Sequence, residues 1–231
     1  MPDVLLRLTG VSRNYGDRVA LSPIDLSVAP GQCVAVLGVN GSGKSTLLRI
    51  AAGRDRPSNG VVVYAGRAGQ AMTEDDLVAR TEIAVVGDLA SAYPDLTVRE
   101  HLQLVAVAHG AGRDAAGQVD RALHECRLDD HGDALPGSLS SGQLQALQLA
   151  TVLVRPRRLL ILDEPEQRLD PGARRWLAGL LAGEKAAGAA LLLATHHTEL
   201  AAAVADHAIV LSDGAVVAEG PPAVALAAVA Q

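Results

Sequence analysis

Phenylalanine is absent from this chain, and three tyrosines and one tryptophan make up all its aromatics. The interior must therefore be built from Ala, Val, Leu and Ile. Cysteine is almost as scarce: Cys33 and Cys126 stand far apart, form no close metal-ligand pair, and read as two free thiols of a reducing, cytosolic compartment. No apolar run approaches the ~20 residues of a membrane helix, and the stretch from Ala189 to Ala194 falls far short. Met1-Pro2-Asp3-Val4-Leu5 lacks the basic start of a signal peptide, so none is expected. If the protein works at a membrane, another chain supplies the span. Basic clusters are missing too. The formal net charge of −6 argues against a general nucleic-acid surface, and Arg155-Pro156-Arg157-Arg158 reads as a short solvated turn ahead of an apolar strand.

Lysine occurs only twice, as Lys44 and Lys185, and Lys44 sits in the most informative stretch of the chain, Gly38-Val39-Asn40-Gly41-Ser42-Gly43-Lys44-Ser45-Thr46. Before it runs Cys33-Val34-Ala35-Val36-Leu37, an apolar run of strand character; after it come apolar residues at helical spacing up to Gly53. Strand, glycine turn and helix start are the context that the pattern G-x-x-x-x-G-K-[ST] requires. Glycine at 38, 41 and 43 lets successive N–H groups turn inward on a phosphate, and the helix start adds its unpaired donors and positive dipole end. Lys44 is placed for the β- and γ-phosphates, and the Ser45 hydroxyl for Mg²⁺.

A second constellation is Leu159-Leu160-Ile161-Leu162-Asp163-Glu164, an apolar strand that ends in two acids. Ligands gather at the carboxyl ends of parallel strands, so both acids arrive near the phosphate loop. Successive strand side chains point to opposite sides, so one acid can hold Mg²⁺ while its neighbour faces a different part of the site; Asp163 is assigned to Mg²⁺ and Glu164 to polarising the attacking water. A third is Leu139-Ser140-Ser141-Gly142-Gln143. Ser140 and Gln143 have capping-box spacing, and a Ser/Gly helix start also suits a phosphate; the residues alone leave both readings open.

At 231 residues the chain is long enough for one large domain or a domain with a lobe. Residues 4–14 and 19–28 read as an antiparallel pair around Tyr15-Gly16-Asp17-Arg18, and Val61 to Tyr64 as a further strand. Thr73-Glu74-Asp75-Asp76 resembles a helix start, and Thr97-Val98-Arg99-Glu100 has capping-box spacing. From about 88 to 158 the pattern is helical, an inserted lobe; strands then alternate with helices to the end, which implies a largely parallel sheet.

The order and spacing of Gly38 to Thr46, Leu139 to Gln143 and Leu160-Ile161-Leu162-Asp163-Glu164-Pro165 resemble those of the ATP-binding subunit of ABC transporters, over nearly the whole chain. The resemblance implies an α/β phosphate-loop NTPase core with a mostly parallel sheet, an N-terminal antiparallel β lobe and an inserted helical lobe, in one domain over 1–231. It implies an ATPase that uses ATP and Mg²⁺ and dimerises head to tail, so that Ser140, Ser141, Gly142 and Gln143 of one subunit face the γ-phosphate held by the other. It also implies a separate transmembrane permease subunit, no nucleic-acid partner, and a place on the cytoplasmic face of the cell membrane.

By the same resemblance Tyr15 is expected to stack on adenine, and Gly38, Asn40, Gly41, Ser42, Gly43, Lys44, Ser45 and Thr46 to hold the phosphates. His196, rather than the adjacent His197, matches the switch histidine at the γ-phosphate. Asp88 stands where the family usually has a glutamine that touches Mg²⁺ and the membrane partner. Ala146 replaces an arginine usual after the signature, and Gln167-Arg168-Leu169-Asp170 is atypical. The stretch from Tyr93 to Leu102 looks most like exporters. Two other readings remain: a weakly hydrolysing regulatory subunit, suggested by Asp88, and a soluble ATPase acting on nucleic acid or ribosomes, which the acidic charge and single ATP-binding unit disfavour.

Overall fold

The structure, a computed structural model, describes residues 4–64, 81–87 and 92–227. The helix start expected at Thr73 and the expected metal contact Asp88 lie outside these residues. Strands β1 (Leu6–Tyr15) and β2 (Arg18–Val28) pair antiparallel through the turn at Gly16-Asp17, with Tyr15 opposite Arg18 and Leu6 opposite Val28. Strand β4 (Asn59–Tyr64) joins the other edge of β1, giving a three-stranded sheet of order β2-β1-β4.

The second sheet has the order β5-β6-β7-β3-β8-β9. Its members β3 (Cys33–Leu37), β5 (Ile83–Val86), β6 (Leu159–Asp163), β7 (Ala190–Thr195) and β8 (His207–Ser212) run parallel. Strand β9 (Ala215–Gly220) returns antiparallel on β8 through Asp213-Gly214, both in left-handed conformations. The chain is thus an α/β fold with a mostly parallel sheet and an antiparallel N-terminal sheet.

Every residue of β7 is buried, and its side chains alternate between two cores. Leu191 and Leu193 pack with the helices, whereas Ala190, Leu192 and Ala194 pack toward the antiparallel sheet and helix α1 (Lys44–Ala51). A parallel strand covered on both faces needs apolar residues at every position, which is why β3, β6 and β7 read as uninterrupted runs. Truncating Leu192 to Ala at the centre of this double layer is expected to cost about 2–5 kcal/mol, the cavity term included.

The helical side carries α2 (Val98–Ala108), α3 (Ala115–Glu125), α4 (Ser141–Leu153) and α5 (Pro171–Ala186). Both capping boxes form: Glu100 N–H donates to Thr97 Oγ1 at 3.2 Å, and Gln143 N–H to Ser140 Oγ at 3.3 Å. Asp170 caps α5 by accepting from Ala173 N–H at 2.8 Å. Short helices α6 (Thr198–Val204) and α7 (Pro222–Ala227) complete the described chain. Among the described residues no helix is long and apolar enough to cross a membrane.

One expectation is overturned. Arg155 to Arg158 is not merely a solvated turn: Arg155 donates to the Ile83 carbonyl at 3.1 Å, and Arg157 grips Glu184 with two contacts of 2.7 and 2.6 Å. Guanidinium forks here satisfy a strand carbonyl and a half-buried carboxylate at the foot of β5 and α5, while Arg158 stays on the surface. Cys33 and Cys126 are free and buried. Burial pushes the Cys33 thiol up to about 12, so neither its reactivity nor its charge is available near neutrality.

Candidate active site

The turn between β3 and α1 is built around glycines that its surroundings demand. A Cβ on Gly38 (φ 148°) would lie 2.4 Å from the Leu211 carbonyl oxygen, and one on Gly43 (φ 107°) 2.7 Å from Leu21 Cδ2 and 2.9 Å from the Ala20 oxygen. Gly43 is also the N-cap of α1, and no side chain caps the donors of that helix. Helices α2, α4 and α5 carry side-chain caps, whereas α1, α3 and α6 do not; an uncapped start leaves N–H donors and the positive dipole end without a side-chain acceptor. Ser42 is buried beside this turn with its hydroxyl unbonded.

Lys44 is 4% exposed, an unusual depth for a lysine. Its ammonium donates to the carbonyls of Gly38 at 2.8 Å and Val39 at 3.1 Å, and stands 3.3 Å from Glu164 Oε1. These partners hold a desolvated charge at the mouth of the turn.

Three parallel strands end side by side here. Leu37 of β3 lies opposite Thr195 of β7, and Asp163 of β6 opposite Ala194 of β7. The glycine turn, the acid pair and the histidines after β7 therefore emerge at one edge of the sheet. Glu164 departs from the simple alternation expected of it. It has left the strand for a left-handed conformation (φ 47°), with its N–H bonded to the Ala194 carbonyl at 2.9 Å. Such a φ is costly for a non-glycine residue and aims the carboxylate back toward Lys44.

Burial by itself would raise the Glu164 carboxyl. A 2.6 Å hydrogen bond from Gln167, the hydrogen bond and charge of Lys44, and the charge of His196 outweigh burial and hold it below the usual carboxylate range. His196 Nδ1 lies 3.4 Å from Glu164 Oε2, with the imidazole 44% exposed. Neighbouring Glu166 behaves in the opposite sense: burial raises its carboxyl, against a hydrogen bond from the Thr195 hydroxyl.

An open cleft of about 670 Å³ lies over this edge. Tyr15, Asn40, Gly41, Gly43, Lys44, Ser45, Thr46, Asp163 and Glu164 line it. Gly38 and Ser42 of the turn and His196 are not among the residues that line it, although His196 contacts Glu164, which does. Ser140, Ser141, Gly142 and Gln143 do not join it, although Gln145 and Gln148 further along α4 do. Gln143 instead turns its amide to Ser140 and to the ring of His131.

Arg13 and Asp55 were not singled out from the sequence. Arg13 lies 4.5 Å from the centre of the Tyr15 ring and pairs with Asp55 at 2.7 Å, while the Tyr15 hydroxyl donates to Asp55 at 2.5 Å. One tyrosine face is thereby occupied, and the ring is fixed at the rim of the cleft. Gln167, the first residue of the atypical Gln167-Arg168-Leu169-Asp170, holds Glu164. Arg168 beside it has φ 65°, a position that normally favours glycine.

The sheet order and the chemistry gathered at its edge place the chain among the phosphate-loop nucleotide-binding α/β proteins. The family model described as ABC transporter matches residues 21–167. The Nod factor export ATP-binding protein I of Cupriavidus metallidurans is 35% identical over 219 residues, which is 94% of this chain and 71% of that protein. Among solved structures, an ATP-binding subunit of an ABC transporter superposes with a TM-score of 0.84 at 30% identity, covering 94% of this chain and 90% of its own. A dimeric post-hydrolysis ATP-binding cassette holding ADP and Pi also gives 0.84, at 25% identity over 94% of this chain and 98% of its own. The chain belongs to the ABC transporter family, and it is an ATPase of that type.

Proposed function

We propose that two copies of this chain, or this chain and a similar one, close head to tail around ATP and Mg²⁺, and that hydrolysis drives export through a separate transmembrane permease. The observation that carries this reading is the division of the phosphate chemistry. The start of α1 is finished within the chain, whereas Ser140 to Gln143 lie outside the cleft that Lys44 closes. A Ser/Gly helix start away from its own cleft is what a composite site needs from each subunit. The dimeric cassette with ADP and Pi supports the assembly, and the export relatives support the direction.

In this reading the backbone of Gly38 to Gly43, with Asn40 and Thr46, cradles the phosphates, and Lys44 leaves its carbonyls to pair with the β- and γ-oxygens. Tyr15, backed by Arg13, offers its free face to adenine. Ser45 and Asp163 line the cleft together, an oxygen donor pair of the kind Mg²⁺ takes, and these two residues, with Asp88, would hold the ion. When bound, Mg²⁺ neutralises charge on the phosphates. Glu164 polarises the attacking water; its lowered pKa keeps it an ionised acceptor. His196, within reach of Glu164, contacts the γ-phosphate. Ser140, Ser141 and Gly142 of the opposing subunit complete the γ-phosphate shell. The whole of 1–231 acts as one ATP-binding unit whose helical lobe, about 88–158, carries the signature and, through Asp88, meets the permease at the cytoplasmic face of the membrane.

Glu164→Gln tests the reading. The variant is expected to bind ATP, to accumulate as an ATP-dependent dimer by light scattering, and to lose turnover by a factor on the order of 10²–10⁴. Unchanged steady-state hydrolysis would remove Glu164 from its role. A variant that stays monomeric at saturating Mg·ATP would remove the composite site.

A further inference from the structure

Two residues past the acid pair, Glu166 is buried to 1% exposure beneath the end of β7. The Thr195 hydroxyl donates to its Oε1 and accepts the His197 N–H at 2.9 Å. Its second oxygen, Oε2, is buried with no hydrogen-bond partner. A carboxylate oxygen left in that state calls for a cation or a donor, since burial without one is costly. The charges that act on this carboxylate are those of His196, which favours its ionised form, and of Glu164, which opposes it. Ligand atoms from Glu166, His196 and His197, one from each, lie within 4.8 Å of one another, and the two histidine rings stand 4.3 Å apart.

We propose that Glu166, His196 and His197 form a binding site for a divalent transition metal of the Zn²⁺ class, separate from the Mg²⁺ site, and that its occupation inhibits ATP turnover. Two imidazole nitrogens and one carboxylate oxygen are the donor set of zinc and its neighbours, whereas Mg²⁺ prefers oxygen alone. Three protein ligands leave a fourth position for water, and His196, the exposed member, can swing the short distance that tetrahedral coordination needs. Thr195 supplies the backing contact that fixes the Glu166 carboxylate. Coordination would draw His196 from Glu164, from which it now stands 3.4 Å, and toward Glu166. The inhibition rests on the role given to His196 under the proposed function; the binding site does not.

The test starts from the full chain without nucleotide, titrated with Zn²⁺ alone by calorimetry and with Co²⁺ followed by its visible absorption. One equivalent is expected to bind, with the intense bands of a low-coordinate site. Glu166→Gln, which keeps an acceptor for Thr195, and His197→Ala, which trims a half-buried ring, should each weaken binding at least about tenfold. Circular dichroism checks that both variants remain folded. The other histidines serve as the internal control: equal binding by wild type and both variants places the metal elsewhere and overturns the site, as does no binding at all. Turnover is then read at fixed Mg·ATP and buffered free Zn²⁺. Wild type should lose activity reversibly to a chelator, while His197→Ala should keep its basal turnover and require at least about tenfold more Zn²⁺. Metal binding that the variants weaken, combined with wild-type turnover unchanged at saturation, overturns the inhibition and the His196 role behind it, not the site.

Discussion

Helices α1 and α4 both begin on Ser/Gly sequences, yet their starts are held in different ways. At α1 no side chain caps the helix, and glycine is imposed by the chain itself: a Cβ at Gly43 would collide with Leu21 and Ala20. At α4 the Ser140–Gln143 box closes the donors locally, and Gly142 has no left-handed φ; its Cβ would meet nothing nearer than the Arg168 oxygen at 3.8 Å. A glycine that packing requires is explained within one chain. A glycine with open space around it, in a helix that would be steadier with alanine, needs its reason from outside. In the head-to-tail reading that reason is the phosphate and glycine loop of the second subunit. In that reading the two starts differ as a finished site differs from half of one.

The largest effect should come from breaking the finished half. Lys44→Ala removes a buried ammonium that already bonds two carbonyls and Glu164. Its ATP affinity is expected to fall at least 100-fold, about 3 kcal/mol, in a fluorescent-nucleotide titration. Undiminished affinity would mean that the start of α1 is not where the phosphates sit. Next comes a mixing experiment with two inactive proteins, Lys44→Ala and Gly142→Asp. If each site takes its lysine from one subunit and its signature from the other, a mixed dimer regains one sound site. With random pairing, up to about a quarter of wild-type turnover should then return. A mixture as inactive as its components would place both halves in the same chain and erase the contrast.

Which of these features the amino-acid sequence could announce follows from how local each one is. The runs forming β3, β6 and β7 were readable because strands buried on both faces cannot tolerate polar breaks. Both capping boxes were readable because the partners lie three residues apart. The acid pair was readable too, but not the left-handed turn that aims Glu164, which is set by its bond to Ala194 across the sheet. Nothing in the sequence sets Glu166 apart from the acid pair two residues before it, and only the packing of Thr195 above it shows a buried carboxylate. The brace on Tyr15 comes from Asp55, forty residues away, and depends on how β1 is folded against the segment after α1. Arg155 and Arg157 were misread for the same reason: Ile83 and Glu184, their partners, are remote in sequence.

A smaller effect separates capping from ligand binding at α4. Ser140→Ala removes an N-cap acceptor and should lower unfolding stability by about 1 kcal/mol in urea titrations. Ser140→Asp restores the acceptor and should recover that stability. It also places a carboxylate where the opposing subunit's γ-phosphate is proposed to lie, so the ATP-dependent dimer should weaken although the monomer is sound. A Ser140→Asp protein that dimerises as well as wild type would reduce this serine to a cap.

The smallest expected effect is also the most discriminating, because its sign should differ between the two assemblies. Gly142→Ala adds one methyl group where the nearest atom is 3.8 Å away, at a helical position where alanine is preferred. The free subunit should therefore gain stability, by up to about 1 kcal/mol in a urea titration. The same methyl group stands in the proposed path of the second subunit's glycine loop and γ-phosphate, where only a bare backbone fits closely. With ATP and Glu164→Gln to trap the dimer, Gly142→Ala should then weaken dimerisation while the melting temperature of the nucleotide-free protein rises. If Gly142→Ala destabilises the free subunit, the glycine is needed at home and α4 resembles α1 after all. If it stabilises both the free subunit and the dimer, no partner approaches that face, and the half-site reading of Ser140 to Gln143 falls.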